Sequence, residues 1–341
     1  MRASGARAGA PWAGRGTRVL LGLAVLGVVL VLSLGMGSVR YTPRTVLAAF
    51  LGSSDADPAA IVIIRDLRLA RTLVAGLAGA ALAVSGTLLQ GLFRNPLADP
   101  YILGASSGAS LGAALALVFV RSPGTASLGA FVGALAAAAL AGSAARSTAR
   151  AGSTTAILLA GTAVSALCSA GVTLLLTLHQ QDLYAVFFWL LGSFNGRGWR
   201  ELTVLAPLFS ATALAAFLLA RPLDVLACGE DSARALGLDV RLLRAAVIAT
   251  AALGTAAAVA AGGVIGFVGL AAPHAARLAL GPAHSRILPA ASLAGAVLLM
   301  TADALARTVL APLELPVGIL TALAGAPFFL ALLARRDRGW R

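Results

Sequence analysis

The 341 residues are 59% apolar and only 11% charged, against about 25% charged in a soluble globular domain, so a water-soluble fold is excluded. All 26 basic residues are arginine; without lysine there is no P-loop, and the chain cannot itself be an ATPase of the Walker type. The net charge of +13 rests on arginines that alternate with apolar runs, the pattern of a membrane protein with charge-biased loops rather than of a nucleic-acid binder.

A helix needs about 20 residues to cross a hydrocarbon core about 30 Å thick. Charge-free runs cover 19–39, 72–93, 100–120, 122–145, 151–181, 202–220, 245–276, 287–302 and 315–334. They lack the period-2 alternation of barrel strands, and in lipid each segment must satisfy its own backbone hydrogen bonds, so the predicted fold is an all-α polytopic bundle. The first run follows Arg2, Arg7, Arg15 and Arg18 and shows no persuasive cleavage site, so it reads as a retained helix behind a cytoplasmic tail, 1–18. The run 245–276 is too long for one span and carries Gly262-Gly263 near its middle, a natural break. Splitting there gives about ten spans in a single transmembrane domain, 19–335, with a short second piece after the break.

The C-terminal end carries Arg335, Arg336, Arg338 and Arg341, the last three in a tail over 336–341. Both ends are thus arginine-rich, which places both in the cytoplasm of a cell (inner or plasma) membrane and agrees with an even number of crossings. With that count 17 of the 26 arginines face the cytoplasm. Arg40, Arg44, Arg65, Arg68 and Arg71 crowd the first external loop against the rule, which implies a task for them.

Taken in order, the remaining features have local readings. Arg68 and Arg71, three apart, share a helix face; snorkelling to headgroups is the plain alternative to a function. Gly76, Gly79, Ala83 and Gly86 allow close helix packing. Asn95-Pro96 and Asp99-Pro100 are turn initiators, which makes this segment a connector. Gly229 through Gly237 reads as a short helix with Glu230 and Asp231 in its first turn and a glycine stop, inside a cytoplasmic loop of about 221–244. Cys168 and Cys228 do not form a metal site or disulfide framework, and His179, His274 and His284 lack the spacing of metal ligands. Asp303 is the one acid beside a deep apolar helix, with Arg307 four residues on; a structural ion pair and a transport role compete there.

Three long motifs carry a resemblance. They are Arg68-Leu69-Ala70-Arg71 through Gly86-Thr87-Leu88-Leu89-Gln90, Arg94-Asn95-Pro96-Leu97-Ala98-Asp99-Pro100 and Leu103-Gly104-Ala105-Ser106-Ser107-Gly108-Ala109; the stretch GGVIGFVGLAAPHAAR at 262–277; and Asp303 to Arg307 with Glu314-Leu315-Pro316-Val317-Gly318 and Gly325-Ala326-Pro327-Phe328-Phe329. Over about 40–335 the chain resembles the FecCD family of binding-protein-dependent permeases, importers of ferric siderophores, haem and vitamin B12. It departs from the usual pattern at Ala70, where proline is common, and over Gly281–Arg286.

The resemblance implies a type II ABC importer permease. Such a permease is not an enzyme and binds no cofactor, ATP and Mg belonging to a separate ATPase. Its implied partners are ABC ATPase subunits, an extracytoplasmic substrate-binding protein, a second permease copy (homodimer) or paralogue, and the lipid bilayer, with no nucleic acid. It assigns binding-protein docking to Arg68, Arg71 and Arg307, and a cytoplasmic gate to Asn95, Leu97, Thr154 and Thr155. ATPase coupling falls to Glu230, Asp231, Ala233, Arg234, Leu236, Gly237 and Leu238, with Ala233, Leu236 and Leu238 offered to the partner. The cargo expected is a ferric siderophore or similar chelate, ahead of haem or cobalamin. The competing class is an ion-gradient-coupled secondary transporter, for which Asp303 is the single candidate acid.

Overall fold

The computed structural model describes residues 13–51, 57–122, 124–147 and 154–337, and among these every regular element is helical. Arg2, Arg7, Arg338 and Arg341, on which the placement of both termini leaned, lie outside them. Helix α1 spans Ala13–Gly35, α2 Pro43–Leu51 and α3 Pro58–Val62. A π-helical stretch, Ile63–Leu69, joins α3 to α4, Ala70–Phe93. A 3-10 turn at Pro100–Leu103 precedes α5, Ala105–Leu115, which continues as a π-helical segment to Val120. Then come α6 (Thr125–Arg146), α7 (Thr154–Leu178), α8 (Leu183–Leu190) and α9 (Trp199–Ala227). The chain continues with α10 (Glu230–Ala235), α11 (Val240–Gly262), α12 (Val268–Leu280), α13 (His284–Ala306) and α14 (Val317–Asp337).

Six of the described helices are long and apolar enough to cross a bilayer, and three shorter apolar helices, Leu20–Gly35, Ala105–Val120 and Val317–Ala331, accompany them. The glycine break falls where the sequence places it. α11 ends at Gly262, and Gly263 takes a φ of 76°, a conformation that costs other residues a Cβ clash. α12 has 13 residues, about 20 Å of helix, too short for a 30 Å core. The loop expected over 221–244 is shorter than that. α9 continues through Pro222 to Ala227 and α11 starts at Val240, because charge alone does not end a helix: Arg221 is exposed and Asp224 finds a partner on α13.

α4 is the axis of the bundle. It is buried along nearly its whole length and packs against α9, α11, α12 and α13. Its small residues make this possible: a Cβ on Gly79 would run into the carbonyl of Gly295 on α13, and one on Gly86 into that of Gly269 on α12. Backbones this close gain dispersion contact that larger side chains would forbid. The polarity of the bundle is reversed from a soluble protein. The interior is rich in alanine, whereas Leu128 and Val132 of α6, Leu167 and Leu174 of α7, and Leu214, Phe217 and Leu218 of α9 are exposed, as an apolar solvent requires.

Candidate functional site

At the end of the bundle where α4 begins and α13 finishes, three sequence-distant segments converge on one acid. Asp303, in the last turn of α13, is fully buried. Arg71 grips it: Nε donates to Oδ1 at 3.0 Å and to Oδ2 at 3.2 Å, and Nη2 donates to Oδ1 at 2.8 Å. The remaining nitrogen of Arg71, Nη1, donates to Glu314 Oε2 at 2.8 Å. Arg307, which follows α13, lies 3.1 Å from Asp303 Oδ2 and donates from Nη2 to Ser33 Oγ at 2.8 Å. Ser33 in turn meets Thr72 of α4 at 3.2 Å. The i,i+4 pair of Asp303 and Arg307 is therefore present, but Arg71 makes the fuller contact.

Arg68 serves a different partner. Its Nη1 donates to the Leu34 carbonyl at 2.9 Å and its Nη2 to that of Val39 at 2.6 Å, with the guanidinium 5.2 Å from the centre of the Tyr41 ring. It thus satisfies a carbonyl at the end of α1 that the helix leaves without an intrahelical donor. Arg65 likewise donates to the Phe50 carbonyl of α2. Of the arginines that break the charge rule, Arg65, Arg68 and Arg71 tie this end of the bundle together. Arg68, Arg71 and Arg307 are 7%, 8% and 4% exposed, so they are not free surface cations; with Asp66, Arg197 and Glu314 they line a cavity of about 460 Å³. Four cations face two anions there. Burial lowers the pKa of Arg307, opposed by Asp303, and lowers that of Arg197, opposed by Glu201.

At the other end, α4 stops at Arg94, which adopts a left-handed φ of 48°. Asn95 Oδ1 then accepts the Leu97 N–H at 3.0 Å, closing the turn that the Asn-Pro pair predicts. The connector does not stay at the surface. Asp99 caps the 3-10 turn through the Tyr101 N–H at 2.8 Å, and the Tyr101 hydroxyl donates to the Ile265 carbonyl at 3.0 Å. Ile102 of the same turn packs on Gly161, two turns into α7, so the 3-10 turn that follows Asn95 and Leu97 lies against the helix that Thr154 and Thr155 begin.

α10 is the short helix read from the sequence, stopped at Gly237 with a φ of 80°. Two of the residues assigned to a partner face inward. Ala233 is fully buried and Leu238 packs on the same core, while Leu236 is 74% exposed. The cause is the ion pair of Glu230 with Arg244, which fastens α10 to α11; within α10 Glu230 also lies 3.3 Å from Arg234, and Asp231 lies 3.6 Å from it. A cleft of about 490 Å³ separates Arg94 from Glu230, Asp231 and Arg234, so the turn bearing Asn95 and Leu97 lies across from α10.

A further link had no signal in the sequence. His284 opens α13, and both its backbone N–H, at 2.9 Å, and its Nδ1, at 2.6 Å, meet Asp224 Oδ1 near the end of α9. Gly91 of α4 leaves room for the imidazole. Among the described residues no group of three or more His, Cys, Asp or Glu side chains is placed to hold a metal ion.

The FecCD transport family model matches residues 25–335. The chain is 42% identical over 328 residues to the hemin transport system permease protein HmuU of Yersinia pestis, covering 94% of this chain and 96% of that one. It is 40% identical to the Fe(3+)-citrate import system permease protein YfmE of Bacillus subtilis, covering 93% and 95%, and 39% identical to the vitamin B12 import system permease protein BtuC of Klebsiella pneumoniae, covering 95% and 96%. A solved inward-facing metal-chelate type ABC transporter superposes with a TM-score of 0.82 at 35% identity, covering 94% of this chain and 99% of that one. A family model spanning nine-tenths of the sequence, permease relatives matched end to end and the all-helical bundle agree: the chain belongs to the FecCD transport family.

Proposed function

We propose that the chain is the membrane-spanning subunit of an ATP-driven importer and that its cargo is an iron chelate, a ferric siderophore ahead of haem or vitamin B12. The observation that carries this reading is the end-to-end match to permeases whose names cite hemin, Fe(3+)-citrate and vitamin B12. The chain hydrolyses nothing; energy comes from a separate ATPase. Nothing supports an ion-coupled carrier, since Asp303 is held between Arg71 and Arg307 and is in no position to exchange a proton or sodium ion with the path.

In this reading ten helices cross the membrane, both termini are cytoplasmic, and two copies pack around the translocation path. Arg68, Arg71 and Arg307 give the external cavity its excess of positive charge, and an acidic side chain from each lobe of the binding protein docks on it. Such pairs steer encounter and fix register while remaining reversible. On the cytoplasmic side the ATPase grips α10. Movement of α10 across the cleft displaces the Asn95–Leu97 turn, and with it the start of α7 at Thr154 and Thr155, which opens the inner exit.

Two results follow. In proteoliposomes holding the permease, its ATPase and its binding protein, uptake of a ferric siderophore is expected to require ATP and to vanish when the ATPase is omitted; uptake by the permease alone on a proton gradient would overturn the reading. The native cysteines report orientation, because Cys228 is exposed beside α10 and Cys168 is buried. A membrane-impermeant maleimide is expected to label Cys228 in inside-out vesicles and not in intact cells, and the reverse pattern would invert the topology.

A further inference from the structure

A cavity of about 770 Å³ opens between α6, the start of α7 and the corner from α10 to α11, and the transport reading gives it no task. Its lining runs from Leu135 to Arg146 on α6 and from Arg241 to Ala252 on α11. Eleven helical steps on each wall amount to about 16 Å, the depth of one leaflet of a 30 Å core. Along that depth the walls are apolar, with Leu135, Ile157 and Ile248 among them, and the polar groups gather at one end, where Arg146, Arg234, Arg241 and Arg244 stand with Asp239. That end adjoins α10, so in the proposed topology it lies at the cytoplasmic leaflet.

The charges there are unequal in their engagement. Glu230 holds Arg244 and Arg234, with Asp231 also on Arg234. Asp239 Oδ1 accepts the Arg241 and Leu242 backbone N–H groups at 2.9 and 3.0 Å, so it serves as the cap of α11. Arg146 and Arg241 are exposed, and neither has a carboxylate partner among the described residues. We propose that this groove binds an anionic phospholipid of the cytoplasmic leaflet, the phosphate between Arg146 and Arg241 and one acyl chain lying along α6 and α11. Guanidinia pair well with phosphate through charge-assisted hydrogen bonds, and basic pockets between membrane helices on the cytoplasmic side select anionic headgroups. The depth argues for lipid over a segment of a soluble subunit, since only an acyl chain is at home in a slot that extends a full leaflet into hydrocarbon. The inference needs the chain to span a bilayer but is independent of its cargo.

The test uses the full-length permease in nanodiscs of mixed phosphatidylglycerol and phosphatidylcholine, with retained lipid measured by native mass spectrometry after extraction. Wild type is expected to retain phosphatidylglycerol about tenfold over its share of the mixture. The double variant Arg146→Ala/Arg241→Ala is expected to lose that preference, whereas Arg200→Ala, an exposed arginine of α9 lining a different cavity, keeps it. Ala249→Trp, which fills the groove and leaves all four arginines, is also expected to lose it. Equal retention of the two lipids by wild type, or a preference that survives either the double variant or the tryptophan, overturns the proposal.

Discussion

Replacing Asp303 with alanine is expected to lower the stability of the permease by about 3–5 kcal/mol, the usual cost of removing one partner from a buried ion pair. The loss exceeds that of a single hydrogen bond because two guanidinia depend on this carboxylate. Arg71 would keep only Glu314, and Arg307 would keep the hydroxyl and carbonyl of Ser33. Both would remain almost wholly buried with an unbalanced charge. Arg71→Met is expected to cost less, because Asp303 retains Arg307. The double variant Asp303→Leu/Arg71→Met is expected to recover part of the loss, since apolar side chains of similar volume often match a buried pair in stability. Denaturant unfolding in mixed micelles gives the three values, and Asp303→Leu alone closes the cycle that yields the coupling between the two sites. A drop below about 1 kcal/mol for Asp303→Ala would mean that water reaches the cluster and that Asp303 does not organise this end of the bundle.

That cluster also marks the limit of what the sequence discloses. The apolar runs, the break at Gly262-Gly263, the Asn95-Pro96 turn and the short helix before Gly237 are local features. Propensity, hydropathy and glycine conformation act over a few residues, so each was legible. The Asp303–Arg307 pair was legible for the same reason, as neighbours one turn apart. Arg71 lies 232 positions from Asp303, and Asp224 lies 60 from His284; nothing in a periodicity points from one to the other. A signal did exist for the first pair. An acid deep in an apolar helix needs a cation, and the arginines that defy the charge bias were the candidates available. For Asp224 and His284 there was none, because either residue reads equally well as a solvated helix end. The inward turn of Ala233 was hidden too: it follows from Glu230 reaching Arg244 on the next helix, which fixes the rotation of α10, and a six-residue helix has too few positions for its pattern to show which face is buried.

The fastening of α10 sets the second large effect. Ala233 and Leu238 anchor the inner face, the Glu230–Arg244 pair holds the helix to α11, and Leu236 projects at 74% exposure from a stretch that cannot span a membrane. An exposed leucine on a rigid knob beside an aqueous phase is a docking feature when a partner carries a matching groove. Burying it contributes about 1.5–3 kcal/mol of apolar transfer, and a glutamate in its place would add the cost of a desolvated carboxylate. Leu236→Glu is therefore expected to weaken binding of the ATPase by at least about 30-fold and to reduce ATP-dependent uptake in proportion. Because the side chain makes few contacts within the permease, unfolding should shift by no more than about 0.5 kcal/mol, and Leu236→Met should restore most of the uptake. Co-purification of the ATPase, read beside uptake and unfolding, separates a lost interface from a lost fold. Full transport by Leu236→Glu would show that the energy of hydrolysis enters the permease elsewhere, and the path from α10 through the Arg94 cleft to Asn95 and Leu97 would fall with it.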